Sequence, residues 1–106
     1  MFHIAVENNK AINYFTEKLI DCFVSKTIPI YYGCPNISDY FNTKGMILIN
    51  DIEDVNKLND IISEKYYKDR IEFIEENYYR VLNNSSFKEQ FIQIIENKYD
   101  LKIIEK

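Results

Sequence analysis

At 106 residues the chain has room for one small domain at most, and its 46% hydrophobic content, with nine Tyr and seven Phe, excludes disorder by supplying a core. The formal net charge is −4 and the basic residues are interleaved with acidic ones. That balance argues against nucleic acid as the main partner, because phosphate-backbone binding needs a basic surface.

Phe2 to Glu7 reads as a strand, and its mixed apolar run predicts cover on both faces, as in parallel sheets. Asn8 to Asn13 is polar and turn-rich. Thr16 then suits an N-cap, with Glu17 in the first turn. Phe15, Leu19, Ile20, Phe23 and Val24 recur at helical spacing and should face the sheet. Ser25-Lys26-Thr27 ends that helix. Ile28 to Tyr32 is a second strand with Pro29 near its start, where proline is tolerated. Gly33-Cys34-Pro35-Asn36 is a turn, Ile37 to Phe41 a short helical turn, and Asn42 to Gly45 a break. Met46 to Asn50 gives a third strand. Crossovers this short build a right-handed parallel unit.

From Asp51 the pattern becomes helical. Asp54 is expected to cap a helix carrying Val55, Leu58, Ile61 and Ile62. Ile71, Phe73, Ile74 and Tyr78 mark a second helix. Phe87, Phe91, Ile94 and Ile95 mark a third, capped by Ser85 or Ser86 after a break at Asn83-Asn84-Ser85. The fold class is therefore α/β: a short parallel sheet followed by a helical tail. Residues 1–106 form a single partial domain, with 1–50 a β-α-β-α-β unit and 51–106 the tail. Three strands and three helices are half of a doubly wound domain, so the first strand lacks neighbours and its bare edge favours self-association.

The stretch from Glu7 to Leu19 joins a strand's carboxyl end to a helix's amino end, which is where open α/β sheets bind ligands. Helix amino ends favour phosphate through unpaired N–H groups and the macrodipole. This one adds an ammonium (Lys18), a carboxylate (Glu17), a phenol (Tyr14) and two amides (Asn8, Asn13). The set suits a nucleotide diphosphate, with the cation and N–H groups on the phosphates, and the carboxylate and phenol on sugar hydroxyls. Each residue also has an ordinary reading. Lysines and glutamates are common on exposed first turns, Tyr14 could pack on the sheet, and Asn8 could simply turn the chain. Glu7 follows a buried strand and is expected to support rather than react. His3, alone at a strand's start, is expected to be structural.

No His, Asp or Glu cluster has metal spacing and no Asp-x-Asp occurs, so no metal cofactor is expected. Cys22 and Cys34 lack disulfide-framework or zinc spacing and read as free thiols in a reducing compartment. No apolar run approaches a membrane span, and Met1 to Val6 is too short and lacks the basic flank of a signal peptide. A cytoplasmic or membrane-peripheral location in a microbial or viral setting is the expectation.

Three elements occur in one order: Phe2-His3-Ile4-Ala5-Val6-Glu7-Asn8, then Tyr14-Phe15-Thr16-Glu17-Lys18-Leu19-Ile20-Asp21, then Ile28-Pro29-Ile30-Tyr31-Tyr32-Gly33-Cys34-Pro35 running on to Asp39-Tyr40-Phe41-Asn42. With them, residues 2 to about 50 resemble the carboxyl-terminal, donor-binding half of family 10 glycosyltransferases, the α-1,3-fucosyltransferases. The resemblance implies a two-domain GT-B enzyme, with a Rossmann-like donor half, transferring fucose from GDP-fucose to a sugar hydroxyl on a glycan with inversion. It makes Asn8, Tyr14, Glu17 and Lys18 donor-site residues, with Tyr14 and Glu17 at the ribose and Asn8 and Lys18 near the diphosphate and fucose. GDP-fucose is then the donor substrate, no cofactor is required, and Lys18 stabilises the leaving group. The family also uses an upstream arginine on the phosphates and a carboxylate base in an amino-terminal acceptor domain. Neither falls within this sequence, so the chain is expected to be inactive without that domain. Two other readings stand beside this one: a nucleotide-sugar-binding module or remnant that never catalyses, and a generic α/β interaction domain.

Overall fold

Among the described residues three strands lie side by side in chain order, all parallel: β1 (Phe2–Val6), β2 (Ile28–Tyr32) and β3 (Ile47–Leu48). They belong to a computed structural model that describes residues 1–83 and 96–97. The register pairs Phe2 with Ile28, Ile4 with Ile30 and Val6 with Tyr32, while β3 enters only opposite Ile30. This explains why Pro29, which lacks an N–H, is accepted in the middle strand: at that level β2 is bordered by β1 alone. The third strand is shorter than the apolar run Met46 to Asn50. Ile49 N–H still reaches the Tyr31 carbonyl at 2.8 Å. The next two N–H groups, of Asn50 and Asp51, turn to the Asp54 carboxylate at 2.8 and 3.3 Å, and the ladder stops.

Helix α1 (Glu17–Val24) covers one face of the sheet. Its Leu19, Ile20, Cys22 and Phe23 are buried against Ala5, Tyr31, Ile37 and Phe41, as the helical spacing predicts. The helix ends in a Schellman motif: Lys26 N–H bonds the Phe23 carbonyl at 3.1 Å and Thr27 N–H the Cys22 carbonyl at 3.1 Å, with Lys26 at φ 53°. Between β2 and β3 the short helical turn predicted from Ile37 is a single 3₁₀ turn, Ile37–Asp39, and a second spans Thr43–Gly45.

On the opposite face Ile28, Ile30 and Ile47 pack against Ile74, with Phe2, Leu58, Ile61, Tyr66 and Tyr67 around them. Up to Asn83, four helices follow the sheet among the described residues: α2 (Ile52–Asn56), α3 (Leu58–Ile61), α4 (Glu64–Lys68) and α5 (Ile71–Asn83). The cap expected at Asp54 is instead at Asp51, which accepts from the Asp54 N–H while the Asp54 side chain reaches back in a reciprocal capping box. The single helix expected from Val55 to Ile62 is broken into α2 and α3 at Lys57. Ser63 starts α4 by accepting from the Tyr66 N–H at 3.0 Å, an element the apolar spacing does not reveal. The described part of α5 runs to Asn83; the expected break at Asn83-Asn84-Ser85, the Ser85 or Ser86 cap and the helix from Phe87 to Ile95 fall on or beyond the limit of the described residues.

The prediction that β1 is covered on both faces is wrong. Ala5 and Glu7 are buried beneath α1, but on the other face Ile4 is 68% and Val6 51% exposed. Helices α2 to α4 are short, and their aromatic side chains cover β1 only at Phe2, whose ring lies 6.3 and 6.4 Å from those of Tyr66 and Tyr67.

Three polar side chains tie α5 to the segment before β3: Glu76 accepts from Asn42 Nδ2 at 3.1 Å, Arg80 donates to the Tyr40 carbonyl at 3.0 Å, and Asn77 locks onto the Asn42 backbone. Asn77 is fully buried; its Oδ1 accepts from Asn42 N–H at 2.8 Å and its Nδ2 donates to the Asn42 carbonyl at 3.0 Å. Asn77→Leu is expected to lower stability by about 2–3 kcal/mol, since it leaves a partly buried backbone donor and acceptor unpaired. Urea unfolding checks this, and a shift below about 0.5 kcal/mol, the size of an ordinary surface change, would remove the lock from the account.

Candidate functional site

The parallel register brings the carboxyl ends of β1 and β2 to one rim, and the segments leaving them, 7–16 and 33–36, form the site. Its support is Glu7, the residue after β1, which is only 2% exposed. Its Oε2 accepts the Thr16 N–H at 2.6 Å and the Tyr31 hydroxyl at 3.2 Å, and its Oε1 accepts the Thr16 hydroxyl at 2.5 Å. Burial, with the Glu7 charge adding to it, pushes the Tyr31 phenol above the usual tyrosine range, so its hydroxyl keeps the proton it donates. The Cys34 N–H in turn bonds the Tyr31 oxygen at 3.2 Å. Gly33 makes this closeness possible: a Cβ there would stand 2.5 Å from Glu7 Cγ and 2.7 Å from the Tyr31 hydroxyl. Thr16, as expected, is the N-cap of α1, its Oγ1 accepting the Lys18 N–H at 3.3 Å. One carboxylate therefore fixes where the helix begins relative to the sheet.

Each predicted site residue is accounted for. Lys18 is exposed, and its ammonium sits on the rim, donating to the Val6 carbonyl at 3.2 Å and to Asn8 Oδ1 at 3.4 Å. The structure thus brings Asn8 and Lys18 together. Glu17 is exposed in the first helical turn. Tyr14 is 37% exposed, so it is not packed into the sheet. The expectation that several helix N–H groups stand ready for phosphate needs correction. The Thr16 N–H is held by Glu7 and the Lys18 N–H by Thr16, which leaves the Glu17 N–H without an acceptor among the described residues. Beside that N–H the helix start offers the Lys18 ammonium. Glu7, with three donors on its two oxygens, acts as a support for the site.

Sequence reading leaves Tyr31 and Asn36 out of the site and takes Gly33-Cys34-Pro35 as a turn at the ligand-facing end of a strand rather than as part of the site. The available signal was an acid at the end of a buried strand, which needs donors from elsewhere in the chain. His3 lies exposed on β1. Among the described residues no group of three His, Cys, Asp or Glu could hold a metal ion, and no helix is long and apolar enough to cross a membrane. Both cysteines are free and buried. Burial, reinforced by the Asp21 charge, pushes the Cys22 thiol up to about 12. Iodoacetamide at pH 8 is therefore expected to leave Cys22 unmodified in the folded protein and to alkylate it after denaturation. Comparable rates in the two states would refute its placement in the core.

The profile of glycosyltransferase family 10 (fucosyltransferase), carboxyl-terminal part, matches residues 1–94. Over 93 residues the chain is 33% identical to the α-(1,3)-fucosyltransferase FucT of Helicobacter pylori, a match covering 87% of this chain and 19% of that protein. Over 67 residues it is 40% identical to α-(1,3)-fucosyltransferase B of Drosophila melanogaster, covering 56% of this chain and 15% of the relative. The crystal structure of an α1,3-fucosyltransferase with GDP-fucose superposes with a TM-score of 0.59 at 26% identity, over 97% of this chain and 33% of that one. A structure with GDP gives the same TM-score and identity over 91% and 32%. The chain thus spans about a fifth or less of the curated relatives' length and about a third of the solved chains. Its fold is accordingly the Rossmann-like, GT-B type shared with these proteins, in part. With more than four-fifths of its residues inside the matched region and its strand, loop and helix in the corresponding order, the chain belongs to the carboxyl-terminal part of glycosyltransferase family 10, the fucosyltransferases.

Proposed function

We propose that this chain is the donor-binding part of a fucosyltransferase, and that its rim holds the diphosphate and sugars of GDP-fucose. The observation that carries the reading is the Lys18 ammonium, held at the end of β1 by Val6 and Asn8 with its remaining face open to solvent. An ammonium there meets the charge that develops on GDP as the bond from the anomeric carbon to phosphate breaks. It performs work that a metal ion does in other transferases. Asn8 shares the lysine's position near the diphosphate and fucose, while Tyr14 and Glu17, exposed on the same helix start, serve the ribose hydroxyls.

The transfer proceeds with inversion. The acceptor hydroxyl forms its bond on the face opposite the departing diphosphate and loses its proton to a carboxylate base. That base, and the recognition of the glycan acceptor, belong to the acceptor-binding part of the enzyme, so residues 1–106, a single partial domain with 1–50 as the donor unit, bind donor without turning it over. The bare face of β1 at Ile4 and Val6 favours association of the isolated chain, which sedimentation reads directly.

Calorimetry with GDP, GDP-fucose and UDP-sugars tests the donor site. Binding with a preference for guanine supports it; equal binding of UDP-sugars, or none of GDP, overturns it. Fucosyl transfer restored by adding an acceptor domain supports the catalytic reading over that of a non-catalytic module.

A further inference from the structure

The loop that carries the site residues has little structure of its own. Between Asn8 and Phe15 a turn is closed by Tyr14 N–H on the Ala11 carbonyl at 3.2 Å, and Ile12 points into solvent. It is held at Asn8 by Lys18 and at Lys10 by the Tyr32 ring, 5.4 Å from the ammonium, and near its far end by a pair of amides 23 positions apart. Asn13 N–H donates to Asn36 Oδ1 at 2.8 Å, and Asn36 Nδ2 donates back to Asn13 Oδ1 at 2.7 Å. The Tyr40 hydroxyl adds a third bond, to Asn13 Oδ1 at 2.8 Å, and the Cys34 thiol donates to Asn36 Oδ1 at 3.1 Å. Asn13 sits at φ 63°, the left-handed region that asparagine tolerates better than most residues.

The polarity of the latch is set by a neighbour. Asn36 Nδ2 also donates to Asp39 Oδ2 at 3.0 Å. A carboxylate can only accept, so the amide must turn its nitrogen toward Asp39, and its oxygen is left for the Asn13 N–H. Asp39 and Tyr40 lie in and just after the 3₁₀ turn Ile37–Asp39, and Tyr40 is itself packed against Phe15, with ring centroids 5.0 Å apart. The loop after β1 is therefore tied to the segment after β2 immediately before Tyr14.

We infer that Asn13 and Asn36 are positioning residues for the nucleotide sugar. Their reciprocal amide pair holds the loop in its binding conformation before ligand arrives, so that little ordering entropy is lost on binding. The inference rests on the donor-site reading above. Its specific content is that the two amides act as one unit through the loop.

The test uses the whole chain with GDP as probe, in the variants Asn36→Ala, Asn13→Gly, their double combination and Tyr40→Phe. Asn13→Gly keeps the positive φ and the N–H that meets Asn36 Oδ1, removes the side-chain amide that accepts from Asn36 and Tyr40, and loosens the loop backbone. Asn36→Ala and Asn13→Gly are each expected to weaken GDP binding about tenfold, as loss of about two hydrogen bonds implies. The double variant should lose clearly less than the sum of the two single losses, because the bond from Asn36 Nδ2 to Asn13 Oδ1 is common to both. Tyr40→Phe keeps the ring and should lose less. Amide exchange at Tyr14 and Thr16 should accelerate in all four, while Ile30 and Tyr31 in β2 keep their protection. Singles binding GDP within threefold of wild type would overturn the inference, as would additive losses in the double variant or exchange that rises equally in β2. A wild-type chain that fails to bind GDP, with the loop amides still released by Asn36→Ala, would instead retire the donor-site reading and leave the latch as structure alone.

Discussion

Lys18→Ala is expected to weaken GDP binding on the order of 10- to 1000-fold. The range follows from losing a charge-assisted contact of about 1.5–3 kcal/mol with phosphate and up to roughly 1 kcal/mol of cooperation with the helix end. The structure favours the lysine's own share of this. Glu7 and Thr16 occupy two of the N–H groups at the start of α1, so the rim's cations are its ammoniums: Lys18 at the helix start, and Lys10, 5.4 Å from the centre of the Tyr32 ring. Lys18→Met, which keeps most of the stem and removes the charge, should lose nearly as much. Lys65→Ala, at an exposed lysine of α4, the helix whose Tyr66 and Tyr67 pack on Phe2 at the amino end of β1, should lose almost nothing. Calorimetry at low salt reads all three, and a Lys18→Ala loss below threefold would count against the assignment.

The second large effect falls on stability. Glu7→Ala leaves the Thr16 N–H, the Thr16 hydroxyl and the Tyr31 hydroxyl without their acceptor and opens a void beneath α1. With about 1–3 kcal/mol for each unpaired buried group, partly relieved by water, the cost is on the order of 3–5 kcal/mol. That is a large share of what a small domain has. Glu7→Gln keeps the shape but must aim an NH₂ group at one of those donors, so it should cost less and still destabilise. Gly33→Ala reaches the same network from the other side. Its Cβ would lie 2.5 Å from Glu7 Cγ, so the carboxylate must shift off Thr16, and about 1–3 kcal/mol is expected to be lost. Urea midpoints order the three variants. If Glu7→Ala unfolds within 1 kcal/mol of wild type, Glu7 does not anchor the helix.

Much of the architecture was legible because its causes are local. A cap such as Thr16 acts on the N–H two residues on, the spacing of Leu19, Ile20 and Phe23 places a face on one helix, and Gly33 next to Pro35 announces a turn. The limits of that reading were local as well. Asp51 and Asp54 are both plausible caps three residues apart, and only the reciprocal bond between them shows which begins the helix. The first strand was misjudged because an apolar run of five residues reads the same whether or not the chain supplies something to lie on it.

From its own order of residues this protein had its parallel β-α-β start, the helix cap at Thr16 and the exposed first turn bearing Glu17 and Lys18, since propensity and periodicity act between near neighbours. Tertiary structure decided which side of β1 stays bare, that Glu7 grips Thr16 and Tyr31, and that Asn13 meets Asn36. Those pairs lie 9 to 24 positions apart. What joins them is the register of β1 on β2, and a register is fixed by the packing of both sheet faces together rather than by any one stretch of chain.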